Sequence, residues 1–185
     1  MIEIIDLPKK RAVTLDMVKA YLKVSNPSED RLLLYLIKAA EDIVSRHRGH
    51  YALEQTLRVT APLVYTHQGP LRRATRLFYQ YPFVSLPVFP IKGILGVTVE
   101  SANGKTRDLE EKRWSLGKSK WPGRLNLRVM EGLRAQVDLV VGYGDDPESV
   151  PASLTQDILH KVLALYDKRE DLRETLALFP RKLSL

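Results

Sequence analysis

The period of the hydrophobic pattern changes twice along this chain, and these changes constrain the fold more than any other feature. Up to Gly49 the apolar residues recur at helical spacing, whereas Leu57, Val59 and Ala61 alternate with polar residues as in a half-buried strand. After Pro151 the helical spacing returns. This order predicts an α+β fold, in which a helical bundle (two N-terminal helices plus a C-terminal helix) carries a mostly antiparallel β insert.

One domain accommodates these segments, because a chain of 185 residues buries roughly 70% of its unfolded surface. We expect a single domain over residues 1–185, with helical parts at 12–49 and 150–172, a strand-rich insert at 51–144 and a C-terminal tail at 171–185.

Local signals mark the ends of the first two helices. Thr14 is a suitable N-cap for a short helix that ends near Val24. Asn26-Pro27-Ser28-Glu29 then combines a capping residue, a proline at the first helical position and a carboxylate three residues after the cap. Gly49 is a suitable terminator, so we predict a second helix of about 22 residues and about 33 Å from Pro27 to Arg48.

The middle of the chain contains several strand candidates. Asn103-Gly104 lies between two of them and is typical of a tight hairpin turn. Prolines 82, 87 and 90 favour an edge strand or loop, because proline cannot donate a ladder hydrogen bond. The predicted strands are Thr56 to Ala61, Thr75 to Gln80, Leu95 to Ser101, Arg113 to Leu116, Leu125 to Met130 and Ala135 to Tyr143.

Composition excludes some classes of site. The chain has no cysteine, so it has neither disulfides nor a thiolate zinc site. Its net charge of +7 fits a nucleic-acid partner, although the basic residues are spread along the chain without a single stripe. Trp114 and Trp121 flank a basic segment and could stack on bases, but hairpin strands with one ring packed on the core are the simpler explanation.

The letters YGDD at 143–146 match a motif that holds two catalytic metal ions in viral polymerases. A polymerase hairpin requires a second strand immediately after the aspartates, whereas Asp145, Asp146 and Pro147 lead through a loop into a helix. The histidine pair His47 and His50 is interrupted by the predicted helix end. We therefore predict no catalytic residue, no metal and no cofactor.

The two ends of the chain have a distinctive order of elements. The opening "VTLDMVKAYLKVSNPSEDRLLLYLIKAAEDIVSRHRG" has a short helix, a polar break with a Glu-Asp pair, and a long helix. The ending "VDLVVGYGDDPESVPASLTQDILHKVLALYDKRE" has an apolar strand, a loop and a helix finishing in Tyr-x-x-Arg-Glu. In these two stretches the chain resembles the head-tail connector (adaptor) proteins of tailed bacteriophages. The positions that match the family's ending are Gly142, Tyr143, Val150, Pro151, Tyr166, Arg169 and Glu170.

This resemblance implies a structural protein of a phage, prophage or gene-transfer particle, not an enzyme. It would form a ring, dodecameric in the particle, beneath the portal protein, extend the DNA channel and join a neck or tail-completion protein. The family implies transient contact with passing duplex DNA, no membrane partner, a place in the virion neck, and the host cytoplasm before assembly. The alternative from another class is a non-specific nucleic-acid-binding protein.

The tail from Asp171 to Leu185 has the composition of an interaction element. Its apolar residues are broken by Pro180 and flanked by two cations, which suits docking on another chain better than exposure to water. The family resemblance points to the portal as its receptor. The predicted interface residues are Leu176, Leu178, Phe179, Arg181, Lys182, Leu183 and Leu185.

Overall fold

The computed structural model describes residues 1–65, 82–117, 122–129 and 132–178, with side chains described as far as residue 168. It contains helices and antiparallel sheets, so the predicted α+β class is confirmed. The helices, in chain order, are α1 (Leu15–Leu22), α2 (Asp30–Arg48) and α3 (Ala152–Leu178). The strands are β1 (Ile2–Asp6), β2 (Gln55–Pro62), β3 (Phe83–Leu86), β4 (Ile91–Glu100), β5 (Thr106–Asp108), β6 (Trp114–Leu116), β7 (Gly123–Leu127) and β8 (Arg134–Val141).

The first two helices begin and end close to the residues that their local signals mark. The Thr14 hydroxyl accepts a hydrogen bond from Met17 N, and α1 ends at Lys23, whose φ is 57°. Asn26 caps a single 3₁₀ turn, Pro27–Glu29, before α2 begins at Asp30. Gly49 ends α2 in the left-handed conformation, with φ of 64°.

The three helices share one apolar cluster, but they are not a clear helical bundle, so this part of the predicted architecture is corrected. They have 8, 19 and 27 residues, and α1 provides only about two turns. The cluster is completed by residues from outside the helices, including Ala52, Leu53 and Val150. Its buried helical residues are Val18, Leu33, Leu36, Ile37, Ala40, Val44, Leu154, Ile158 and Val162.

Two antiparallel sheets form the rest of the described structure. One has five strands in the order β1-β2-β8-β4-β5, and the other has three in the order β3-β7-β6. Their inward side chains form a second apolar cluster, because alternate residues of each strand point to the same side. Leu57 and Leu139 contribute from the larger sheet, and Val84 and Leu125 from the smaller one.

The sequence predicted five of the eight strands, namely β2, β4, β6, β7 and β8. The Asn103-Gly104 turn is also present, with Gly104 at φ of 77° between β4 and β5. Strands β1, β3 and β5 were not predicted as strands, although β3 is an edge strand, as its flanking prolines indicated. The predicted strand Thr75 to Gln80 lies outside the described residues.

Candidate functional site

The Gly142-Tyr143 pair joins the larger sheet to the helical cluster. Gly142 has φ of 112°, and a Cβ atom there would lie 2.3 Å from the Leu53 carbonyl oxygen. Its N–H donates to Pro90 O at 3.1 Å, and Tyr143 N–H donates to Ala52 O at 3.1 Å. Only glycine fits this position, because a side chain would overlap the neighbouring backbone. The residues that follow β8 are thereby hydrogen-bonded both to the segment before β4 and to the segment before β2.

The loop that follows Tyr143, from Gly144 to Ser149, also packs closely against neighbouring residues. Gly144 O accepts a hydrogen bond from Glu54 N–H at 2.8 Å, and a Cβ on Gly144 would lie 2.5 Å from Ser149 Oγ. Ser149 Oγ donates to Asp146 O at 2.6 Å within a 3₁₀ turn, Pro147–Ser149. A turn therefore follows the aspartates, where a polymerase hairpin would need a strand.

Asp146 has an ion-pair partner at the other end of the chain. Its carboxylate accepts a hydrogen bond from Lys10 Nζ, and this contact raises the pKa of the Lys10 ammonium. Among the residues that the structure describes, no group of three His, Cys, Asp or Glu side chains could hold a metal ion. The loop thus connects the segment before α1 to the start of α3.

Val150 and Pro151 begin α3. Val150 is buried in the helical cluster with Leu154 and Ile158. The Pro151 carbonyl oxygen accepts hydrogen bonds from Leu154 N–H and Thr155 N–H, which starts the helical ladder. These two positions set where the chain turns from the sheet into the helix.

Tyr143 contacts the same junction through its side chain. Its ring meets Phe89 edge to face, with 6.2 Å between centroids, and burial raises the pKa of its phenol. All four of the first family-like positions, Gly142, Tyr143, Val150 and Pro151, therefore lie where the sheet meets the helices.

The Glu-Asp pair of the polar break joins all three helices. Tyr166 Oη on α3 donates to Glu29 Oε2 at 2.8 Å. Lys19 Nζ on α1 bonds Asp30 Oδ1 at 2.6 Å. The two segments that carry the family resemblance are thus in direct contact, which the role of Glu29 as the carboxylate three residues after the Asn26 cap did not predict.

The remaining predicted positions are only partly described. Arg169, Glu170, Leu176 and Leu178 lie on the α3 backbone, and their side chains are outside the described set. Phe179, Arg181, Lys182, Leu183 and Leu185 lie outside the described residues altogether. The tail's role as an interface therefore stays a prediction.

A groove between β1 and α2 was not anticipated from the sequence. It has a volume of about 440 Å³ and is lined by apolar residues that include Ile4, Leu7 and Tyr35, together with charged residues that include Lys38 and Asp42. Tyr35 is 71% exposed. The exposed apolar residues of these two elements are Ile2, Ile4, Ile5, Leu34, Tyr35 and Ile43. Exposed apolar side chains beside such a groove favour a protein–protein contact.

Glu41 holds the segment before α1 against α2. Its carboxylate accepts hydrogen bonds from Ala12 N–H at 2.7 Å and from Arg11 Nη1 at 3.1 Å, and its side chain is 15% exposed. Burial raises the pKa of Glu41 above its ordinary value of 4.5, and the hydrogen bonds from Ala12 and Arg11 offset this only in part.

This raised pKa predicts a pH dependence of stability. As pH rises from 4.5, the unfolded state releases the Glu41 proton first, so the native state binds more protons and its stability falls. Glu41→Gln removes this titration. We expect the free energy of unfolding of the variant, relative to wild type, to increase between pH 4.5 and neutrality, measured by urea denaturation. A relative stability that falls over this range would mean that the hydrogen bonds to Ala12 and Arg11 outweigh burial.

No helix within the described part of the chain is long and apolar enough to span a membrane. No protein-family model and no curated protein matches this sequence.

Solved structures do contain similar folds. A chain in "Neck of empty GTA particle computed with C6 symmetry" has a TM-score of 0.68 and 16% identity, covering 90% of this chain and 84% of that chain. A chain in "Virion of native gene transfer agent (GTA) particle" has a TM-score of 0.68 and 15% identity, with the same coverage. A third, in "Neck of native GTA particle computed with C12 symmetry", has a TM-score of 0.61 and 14% identity. The chain therefore has the fold of proteins found in the neck and virion of GTA particles.

Proposed function

We propose that this protein is a structural component of the neck of a phage-like particle, acting as a head-tail connector. It would form a ring beneath the portal, extend the DNA channel and provide the platform for a neck or tail-completion protein. The observation that carries this proposal is the fold similarity to GTA neck chains over 90% of the chain. The resemblance of its two ends to the connector family supports the same function independently.

The contacts at the junction also support a connector whose two resembling ends act together. Tyr166 and Glu29 belong to the opposite ends of the chain and share a hydrogen bond of 2.8 Å. Gly142 holds the start of the second end against Leu53. The positions that carry the resemblance are thus those that fix α3 to α2 and to the sheet, and they need no catalytic role.

The proposed ring uses two different faces of each copy, because a closed ring of identical subunits is built from heterologous contacts. We propose that α2 with the β1–α2 groove supplies one face and the strand-rich middle supplies the other. Each copy carries +7, so like-charged subunits repel at long range. The exposed Leu34, Tyr35 and Ile43 offer the short-range apolar contact that can overcome this repulsion. We propose twelve copies in the particle, one per portal subunit, with assembly waiting for the portal.

The C-terminal tail is proposed as the part that binds the portal. The backbone of α3 is described through Leu178, so the first eight residues of the proposed tail, 171–178, lie on this helix. A chain truncated after Glu170 should lose binding to its cognate portal, measured by co-sedimentation, with a melting temperature close to that of the full chain. A large fall in melting temperature would mean that the tail packs on its own domain instead. Unchanged portal binding would contradict the proposed receptor.

A direct test of the proposed function is to mix the purified chain with its cognate portal. We expect a complex in which both proteins have the same copy number, measured by native mass spectrometry. A monomer when the chain is alone is compatible with assembly on the portal. Failure of the full-length chain to bind the portal at all would contradict the connector function.

A further inference from the structure

The positive charge of this protein is concentrated in two segments of the strand-rich middle. Residues 55–99 and 112–130 contain 11 of the 29 Lys and Arg residues and none of the 22 Asp and Glu residues. The rest of the chain has more acidic than basic residues. These two segments include β3, β6 and β7, which are the three strands of the smaller sheet. Of the basic residues in these segments, Lys112, Arg113, Arg124 and Arg128 lie in or directly beside the strands of the smaller sheet.

The outer face of the smaller sheet presents part of this charge to solvent. Leu125 and Leu127 of β7 point into the core, so the intervening residues point outward. Arg124 and Arg128 are exposed on this side, and Arg113 lies beside Arg128, whose N–H donates to Arg113 O. We name this surface the basic sheet face. It comprises Phe83, Ser85, Arg113, Ser115, Arg124, Asn126 and Arg128.

The three arginines have no acidic partner among the described residues, whereas eight other basic residues do. Lys10, Arg48 and Arg58, for example, pair with Asp146, Asp157 and Asp138. Within the part of the chain that the structure describes, Arg113, Arg124 and Arg128 form no ion pair. Their side chains are exposed, so an external anion can reach them.

Arg124 is held in place by neutral groups. Its Cζ lies 3.8 Å from the centroid of the Phe83 ring, and its Nε donates to Asn126 Oδ1 at 3.2 Å. The terminal nitrogens keep N–H donors that these two contacts do not use. A guanidinium that is already positioned loses less entropy on binding a phosphate, which it can contact through two parallel hydrogen bonds.

The spacing of the arginines fits a polyanion with regularly repeated phosphates. Arg124 and Arg128 are four residues apart on an extended chain, or about 13 Å. Duplex DNA carries one phosphate per about 3.4 Å of axis on each strand, so the two side chains reach different phosphates. Ser85, Ser115 and Asn126 add neutral polar groups of the kind that contact phosphates without reading bases.

We propose that the basic sheet face binds the phosphate backbone of duplex DNA without sequence preference. A protein partner is less suited to this face, because protein interfaces have an apolar or aromatic centre. Here the aromatic Phe83 is half-buried and covered by Arg124. The assignment of this face to the side of each copy that meets the DNA path rests on the proposed connector function.

The test is a titration of a short fluorescent duplex with the full-length chain over a series of salt concentrations. The triple variant Arg113→Gln, Arg124→Gln, Arg128→Gln should lower the slope of log affinity against log salt by about three, about one per arginine. Its affinity at low salt should fall by more than about tenfold. The control variant Lys23→Gln, Lys105→Gln, Lys168→Gln has the same change in charge and should bind nearly as wild type does.

A second variant separates charge from folding. Arg113→Lys with Arg124→Lys and Arg128→Lys retains the positive charge and should keep most of the salt slope, with melting curves confirming that each variant is folded. Three results would overturn the proposal: no duplex binding by wild type at low salt, an equal loss in the control, or unchanged binding in the glutamine variant. The first would point to an acidic protein surface as the partner of this face, and the last to a duplex-binding site elsewhere on the chain.

These outcomes are distinct from a failure of the connector function. If the chain binds duplex through these arginines but is missing from the particle neck, the DNA-binding face is supported and the connector function is contradicted. If the chain is present in the neck but does not bind duplex, the connector function is supported and the DNA-binding face is contradicted.

Discussion

Replacing Gly142 with alanine should destabilise the protein by at least about 3 kcal/mol, because the new methyl group would overlap neighbouring backbone atoms. Gly142 has φ of 112°, and its ideal Cβ would lie 2.3 Å from the Leu53 oxygen and 2.6 Å from Glu54 N. Both obstacles are backbone atoms, so no side-chain rotation relieves the overlap. The free energy of unfolding in urea measures the effect, and the near-ultraviolet circular dichroism of Tyr143 and its neighbours reports whether the junction is still packed.

Gly96→Ala is the matched control. Gly96 lies in β4, and nothing approaches within 4 Å of its ideal Cβ, so alanine there should change stability by less than about 1 kcal/mol. Similar losses in the two variants would mean that the effect at Gly142 is a general cost of losing a glycine. A small loss at Gly142 would mean that the junction tolerates movement of the chain around Leu53.

Replacing Ile37 with alanine should cost about 2 to 5 kcal/mol, because Ile37 is fully buried in the helical cluster. Three methylene-sized groups are removed from a site that α2 and its neighbours enclose, and the loss combines transfer free energy with the cost of a cavity. Urea denaturation, with the slope of the transition compared with wild type, gives the change directly.

Ile43→Ala provides the control on the same helix, with the same chemical change. Ile43 is 39% exposed, so the expected loss is below about 1 kcal/mol. Equal losses at Ile37 and Ile43 would contradict the described packing of α2. If α2 contacts a neighbouring copy in the ring, Ile43→Ala should also weaken assembly on the portal while leaving the stability of the free chain nearly unchanged.

The parts of the fold that depend on local chemistry could be predicted from the sequence. Thr14, Asn26 and Gly49 act through hydrogen bonds and backbone angles within a few residues. A short stretch of sequence is therefore enough to predict their effects. Strand β8 was predicted as an apolar strand leading to Gly142, and in the structure Ala135, Val137 and Leu139 alternate with less buried residues. For Trp114, the simpler interpretation agrees with the structure, because its ring packs against the core between the sheets.

The missing strands depend on contacts that a short window does not contain. Strand β1 pairs with β2, whose paired residues lie 50 to 57 positions later, and all five residues of β1 are exposed. Strand β5 has only three residues, too few to establish an alternating pattern. The division of the strands into two sheets is likewise a matter of long-range pairing.

The candidate site shows the same division between local and distant causes. Glycine at 142 was recognised as part of a strand end, but its necessity comes from Leu53, on a different part of the chain. Glu29 looked like a capping residue, whereas its partner is Tyr166, 137 positions away. The basic sheet face was missed because Arg113 becomes a neighbour of Arg124 and Arg128 only through the pairing of β6 with β7.

The most direct test of the proposed function is an electron-microscopy reconstruction of the particle whose genes include the one for this chain. The region to be examined is the particle neck. We expect a closed ring of this protein, coaxial with the portal and wide enough for a duplex about 20 Å across. The contacts between copies should involve α2, and the basic sheet face should point towards the channel. A particle neck that lacks this chain would contradict the account.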